Sequence, residues 1–144
     1  MTSPTKKEDP MKNTVMVQGK LPPVLAKIMR FDPSIRHVSL LDSRGRPSVM
    51  VEKPGMELMA HGEMLNAFFV RSDILTKAMA VEDDILGKTK TWITQREKVT
   101  ILWFTSKEGT ILVSAEPSFP LPRVDGFRRL VEGAYGELAR FRRA

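Results

Sequence analysis

The chain is 144 residues long, carries 23 lysines and arginines against 17 aspartates and glutamates, and contains no cysteine. That length suits one domain with its own core. The absence of cysteine excludes a disulfide scaffold, a thiolate metal site and a cysteine nucleophile together. No apolar run approaches the roughly 20 residues that a membrane-spanning helix requires, and Lys6-Lys7 is not followed by the apolar core of a signal peptide, so a cytoplasmic protein is expected. The net charge of +6 raises non-specific attraction to anionic surfaces without specifying one. Its excess sits at the two ends, in Lys6, Lys7, Lys12 and Lys20 and in Arg123, Arg128, Arg129, Arg140, Arg142 and Arg143.

Residues 1–20 hold Pro4, Pro10 and many polar groups without periodicity, which predicts a mobile tail ahead of a single domain over 21–144. Val15-Met16-Val17 is the one piece of it able to add an edge strand. Leu21, Val24, Leu25, Ile28 and Phe31 recur at helical spacing, with Pro22-Pro23 in the first turn and Asp32-Pro33 as the stop. Residues 37–42 and 47–52 read as strands, joined at Asp42-Ser43-Arg44-Gly45, where glycine is free to take a positive φ.

From 56 to about 86 the pattern is helical, through Leu58, Met59, Leu65, Phe68, Phe69, Leu75 and Met79. Gly62 and Ser72-Asp73 interrupt it, so one bent helix and two shorter ones both fit; Gly87 suits the C′ position. Residues 88–97 alternate but are polar, as in an edge strand whose lysines discourage stray pairing. Residues 99–104 are almost continuously apolar, as in a strand covered on both faces. Ser106-Lys107-Glu108-Gly109 is a second hairpin turn and 110–115 its return strand. Pro117, Pro120 and Pro122 stiffen the connection to a closing helix whose stripe is Val124, Phe127, Leu130, Val131, Ala134, Leu138 and Phe141. The order α-ββ-α-βββ-α predicts an α/β sandwich of the α+β kind: a five-stranded antiparallel sheet with helices on both faces.

The segment Ile35-Arg36-His37-Val38-Ser39-Leu40-Leu41-Asp42-Ser43-Arg44-Gly45-Arg46-Pro47, together with this element order and the final strand running into a terminal helix, resembles the first hairpin and layout of the roadblock family. These are small profilin-like domains found in dynein light chains and in bacterial and archaeal regulators of small GTPases, and Phe31 to Val38 is similar to small archaeal proteins of related layout. The resemblance covers about residues 21–141. It implies homodimers in which the middle helices and a sheet edge pair into a continuous ten-stranded sheet, and it implies adaptor or GTPase-regulating work instead of catalysis. The chain departs from the family where Ile35-Arg36 replaces a glycine often found before the first strand, and in its bulky Phe68-Phe69 pair.

Candidate sites follow. Leu65, Phe68, Phe69, Leu75 and Met79 are the expected dimer contacts, because the middle helix carries apolar residues on more than one azimuth and a solvated back face should not. Arg128, Arg129, Arg140, Arg142 and Arg143 form a basic surface; it suits phosphates of nucleic acid or lipid and equally the negative end of a helix dipole. Trp92, Trp103 and Phe104 would line a pocket if the chain were a small-molecule sensor, or simply fill the core. Glu82-Asp83-Asp84 lacks the alternate spacing of a calcium loop. His37 and His61 lack zinc-hydrolase spacing, and there is neither a P-loop nor a Gly-x-Ser-x-Gly elbow. No catalytic residue, metal or cofactor is expected. The reading is a non-enzymatic homodimeric adaptor or regulator, with a small GTPase or another protein as partner; the alternatives are a ligand sensor and a basic protein that binds nucleic acid electrostatically.

Overall fold

Two hairpin units meet edge to edge at the middle of the sheet. The computed structural model describes residues 15–17, 23–53, 55, 62–106 and 109–143, with the side chains of 15–17 and 138–143 outside the described set. The strands are β1 (Val15–Val17), β2 (Ile35–Leu41), β3 (Pro47–Glu52), β4 (Thr91–Gln95), β5 (Thr100–Ser106) and β6 (Gly109–Ala115). They lie in the order β1-β3-β2-β6-β5-β4. The helices are α1 (Pro23–Met29), α2 (Gly62–Ala80), the single turn α3 (Asp83–Leu86) and α4 (Val124–Arg143), the last entered through a 3-10 turn at Leu121–Arg123.

Strands β2 to β6 form the expected five-stranded antiparallel sheet. Val15–Val17, inside the stretch expected to be a tail, adds a sixth strand parallel to β3. The rest of that stretch, and the 56–61 part of the expected middle helix, lie outside the described residues. The middle segment resolves into two helices, and α3 ends as expected at Gly87, whose φ is 80° and whose N–H donates to the Asp83 carbonyl.

Alternation along the strands sorts the core into two layers. Val38, Leu40, Val49, Val51, Leu102, Phe104, Ile111 and Val113 face α1 and α4, where Leu25, Ile28, Phe127 and Val131 meet them. Leu41, Met50, Ile101, Trp103 and Leu112 face the other way, under Phe69 of α2. Phe127 is the hub of the first layer, stacked on Phe31 at 4.5 Å and edge-on to Phe104 at 5.3 Å. The Arg123 guanidinium lies 4.3 Å over the Phe31 ring and also pairs with Asp32 at 3.2 Å, which ties the end of α1 to the start of α4.

The hairpin tips are held by glycines. At β2–β3, the Asp42 carboxylate accepts N–H bonds from Arg44 and Arg46 at 2.8 and 3.0 Å, and Gly45 takes φ 74° as the turn requires. A Cβ on Gly45 would lie 2.6 Å from the Cβ of Asp73 on α2. At β5–β6, Gly109 has φ 142°, and a Cβ there would overlap the Tyr135 hydroxyl of α4 and sit 2.6 Å from the Leu41 carbonyl oxygen. One tip therefore touches α2 and the other touches α4.

Gly109→Ala is expected to cost about 1–3 kcal/mol through strain and overlap. Gly126→Ala and Gly133→Ala, in α4 and facing open space, should each stabilise the fold by about 0.5–1 kcal/mol. Urea denaturation of the three variants checks the contrast.

Candidate functional site

The middle helix α2 is apolar on two sides, and only one of them meets the sheet. Phe69 and Ser72 are buried, with Leu65 and Phe68 half-buried against the same layer. At 100° per residue, Ile74 lies about 140° round the helix from Phe69. There it is 60% exposed, beside Met64, Val70 and Leu75, the last 50% exposed. Ala67 and Ala78 share this outer side, with Glu63 and Arg71 as the charges within it. Past the helix end, Val81, Ile85 and Leu86 are exposed as well. A solvated helix face carries polar groups; a contiguous apolar one marks an interaction surface.

The expected contact residues divide accordingly. Leu75 stands on the outer side. Leu65, Phe68 and Met79 are half-buried within their own chain. Phe69 is a correction: at 1% exposure it fills the core beneath α2 and has no surface to offer a partner. Truncating such a residue costs about 3–5 kcal/mol, so a charge there would unfold the chain before it could report on association. Val70, Ile74, Val81, Ile85 and Leu86 were not singled out from the sequence. The available signal was their position opposite Phe69 on the helix, which becomes usable once Phe69 is known to point inward.

Of the two readings offered for Trp92, Trp103 and Phe104, core filling is the one that the structure bears out. Trp92 and Trp103 stack on each other at 3.6 Å with an interplanar angle of 6°, under Phe68, in the α2 layer. Phe104 belongs to the opposite layer, because adjacent residues of a strand face opposite ways. The three therefore line no common space. Open space lies elsewhere, between the last turns of α2 and the hairpin tips, in two adjoining grooves of about 250 and 260 Å³. Ser72, Thr76, Thr105 and Ser106 contribute hydroxyls to otherwise largely apolar walls, and Lys88 borders one groove. The hydroxyls of Thr76, Thr105 and Ser106 donate to the Ser72, Thr89 and Gly109 carbonyls.

His37 is buried in β2, on the sheet face turned toward α2. Its Nε2 lies 2.6 Å from the Ser39 hydroxyl and its Nδ1 lies 3.2 Å from the Ser114 hydroxyl of β6. Burial pushes the imidazole down to about 4, because a charged ring loses its hydration there, so the ring is neutral at pH 7. A serine beside an imidazole is the start of a nucleophile–base pair, but Ser39 is 0% exposed and no substrate atom reaches it. The trio is a polar cross-tie between β2 and β6. His61 lies outside the described residues.

Among the basic residues, Arg128 pairs with Asp125 at 3.2 Å and the Arg129 Nε donates to the Asp125 carbonyl at 3.4 Å. Both lie in the first turns of α4, so the helix-dipole account, which needs a C-terminus, does not apply to them. Arg140, Arg142 and Arg143 lie on its last turns, with side chains outside the described set. Glu82 precedes the single turn α3, and Asp83 and Asp84 open it. Among the described residues no helix is long and apolar enough to cross a membrane.

No family model and no curated protein matches the sequence, but solved structures match the fold. The gliding protein MglB from Thermus thermophilus superposes with a TM-score of 0.66 at 15% identity, over 81% of this chain and 86% of that one. A Roadblock/LC7 domain from Streptomyces avermitilis gives 0.60 at 10% identity, over 84% and 99%. Myxococcus xanthus MglB gives 0.55 at 13% identity, over 80% and 88%. The chain therefore has the roadblock-like fold, as its hairpin and element order implied.

The His37 burial sets a pH dependence. In the unfolded chain the ring titrates near 6.5, so below that pH the unfolded state takes up a proton that the folded state refuses. Stability is intact above about pH 6.5 and falls toward pH 4, by about 3 kcal/mol from this group. His37→Gln should flatten that part of the slope, as read by urea melts at pH 7 and pH 4.5.

Proposed function

We propose that the chain is a non-enzymatic adaptor or regulator that works as a homodimer and engages a small GTPase or a comparable protein partner. The observation that carries this reading is the exposed apolar side of α2, with Met64, Val70, Ile74 and Leu75 spread across it. A helix covered by sheet on one side and left apolar on the other is half of an interface. The roadblock resemblance implies that middle helices pair between protomers, and one structurally similar MglB is described in a tetrameric arrangement (TM-score 0.58, 16% identity). The first of these supports a two-fold contact through α2, in which each copy presents the same patch to the other; the second supports self-association in general.

A second reading has its own observation. The grooves beside Thr76 and Thr105 lie between helix and sheet, where a polar small molecule would bridge α2 to the hairpin tips and adjust the pose of the helix. This sensor reading is compatible with the first, since the same helix carries both surfaces.

Light scattering across a concentration series tests the dimer. The intact chain is expected to dimerise at low and high salt alike. Ile74→Arg should leave the thermal melt within about 0.5 kcal/mol of the parent, as an exposed substitution does, while weakening the dimer by about tenfold or more, as a charge at an interface centre does. A monomer at all concentrations, or a dimer indifferent to Ile74→Arg, contradicts the reading. A thermal shift with a panel of polar small molecules tests the sensor alternative, because a ligand selective for the folded state raises its stability.

A further inference from the structure

Arg71 is a cation set among apolar neighbours on the outer side of α2. The residues one turn away from it on the helix are Ala67, Phe68, Ile74 and Leu75, and none of them can pair with a guanidinium. Asp73, two residues on, is taken by Lys77 at 2.9 Å. Glu63 is placed in the same way, with Asn66 and Ala67 one turn after it. The two charges lie about 12 Å apart along the axis, too far to bridge within one helix. Neither makes an ion pair among the described residues. An acid in a first turn suits the helix dipole, which accounts for Glu63 and says nothing of Arg71.

Their placement has a symmetry. Ala67 lies at the middle of the outer side, about 160° round the helix from Phe69. Glu63 and Arg71 lie one turn before and one turn after it, about 40° to either side, and both are exposed. Met64 and Val70 flank it by about 60° in the same way. A two-fold axis across the helix at Ala67 therefore sets Glu63 level with the partner's Arg71 twice over, and Met64 level with the partner's Val70. It also puts a small side chain where the helices cross, which lets them approach. Other arrangements fare worse. An axis at Ile74 sets Arg71 against the partner's Lys77, and one between Val70 and Arg71 brings the two arginines together. A parallel pair sets Glu63 on Glu63 and Arg71 on Arg71. Like charges held across a contact oppose it.

We propose that Glu63 and Arg71 are a self-recognition pair, which fixes the α2 contact as antiparallel about Ala67 and selects a second copy of this chain over other apolar helices. This rests on the α2 reading above and adds what sets its direction and its choice of partner. An arginine inside an apolar contact must meet a carboxylate or be left covered and unpaired, which is strongly unfavourable. A second copy brings that carboxylate to the matching level, and the contact is repeated by symmetry. The apolar residues supply the hold. The two charge pairs supply selectivity, because a helix of similar shape without an acid one turn before its crossing point leaves Arg71 stranded.

The test uses two variants of the full chain, Glu63→Lys and Arg71→Glu, each alone and then mixed in equal amounts. Both positions are exposed, so each variant should melt close to the parent. Alone, each variant sets like charges against each other at both ends of the contact. Each is expected to dimerise about tenfold more weakly or worse, as read by light scattering over a concentration series at low salt, where charges are least screened. Mixed, the two set opposite charges at both ends, and the dimer should return. Single variants that dimerise as well as the intact chain overturn the proposal, and so does a mixture that stays as weak as its components. Ile74→Arg separates this from the reading it rests on. If that change breaks the dimer and the charge variants do not, the α2 contact holds and the recognition pair fails alone. A dimer indifferent to all three variants, or an intact chain that stays monomeric, overturns both.

Discussion

Val38 opposite Val113 and Leu40 opposite Ile111 join the β2–β3 hairpin to the β4–β5–β6 meander, and on this pairing the rest of the molecule depends. Neither unit has enough strands to cover both an α1/α4 layer and an α2 layer by itself. Joined, they give a sheet wide enough for two helical layers and place all the strongly apolar strands at its centre. The pairing links segments far apart in the chain, so its closure costs entropy that only the two buried layers offset. His37 and Ser114 reinforce the same seam with a polar contact, and its proton balance follows from being sealed inside.

Much of the fold was legible because local and long-range signals agree. Gly45 occupies the turn position that its neighbours demand, and Asp42 closes that turn with its carboxylate. The continuous apolar run through Leu102 and Trp103 marks a strand that two layers cover. Even the edge strand at Val15 was visible in three apolar residues. Less was legible of the site. A helix with apolar residues all round announces that both sides are covered but not which side meets its own sheet, and Phe69 was placed with the contact residues for that reason. Only the position of α2 over Met50 and Leu112 decides it. Likewise Trp103 and Phe104 look alike as neighbours in sequence, and strand geometry sends them to opposite layers.

The two sides of helix α2 differ: the inner one holds the sheet and the outer one stands in water. Its inner side contributes one fully buried large residue, Phe69, with Leu65 and Phe68 beside it, a modest anchor for 19 residues. Its outer side keeps apolar surface in water, which costs solubility and gains nothing in an isolated chain. The contrast with the first turns of α4 is clear: there Phe127 and Val131 are buried while Arg129 and Glu132 are exposed, an apolar side on the core and a charged side in water.

Gly45 and Gly109 bear on how such a chain can change over time. Each brings a hairpin tip against a helix with no room for a methyl group, so neither tip has slack for an added residue. The turn between β4 and β5 has no such neighbour on its side chains: Arg96, Glu97 and Lys98 are all exposed. Descendants of this sequence can therefore grow or shrink at that turn without disturbing either helical layer. An insertion at the other end of the sheet would part the strands from the helices that clasp them. The two ends of one sheet thus differ in evolutionary freedom, and a fusion or a surface tag belongs at the β4–β5 turn.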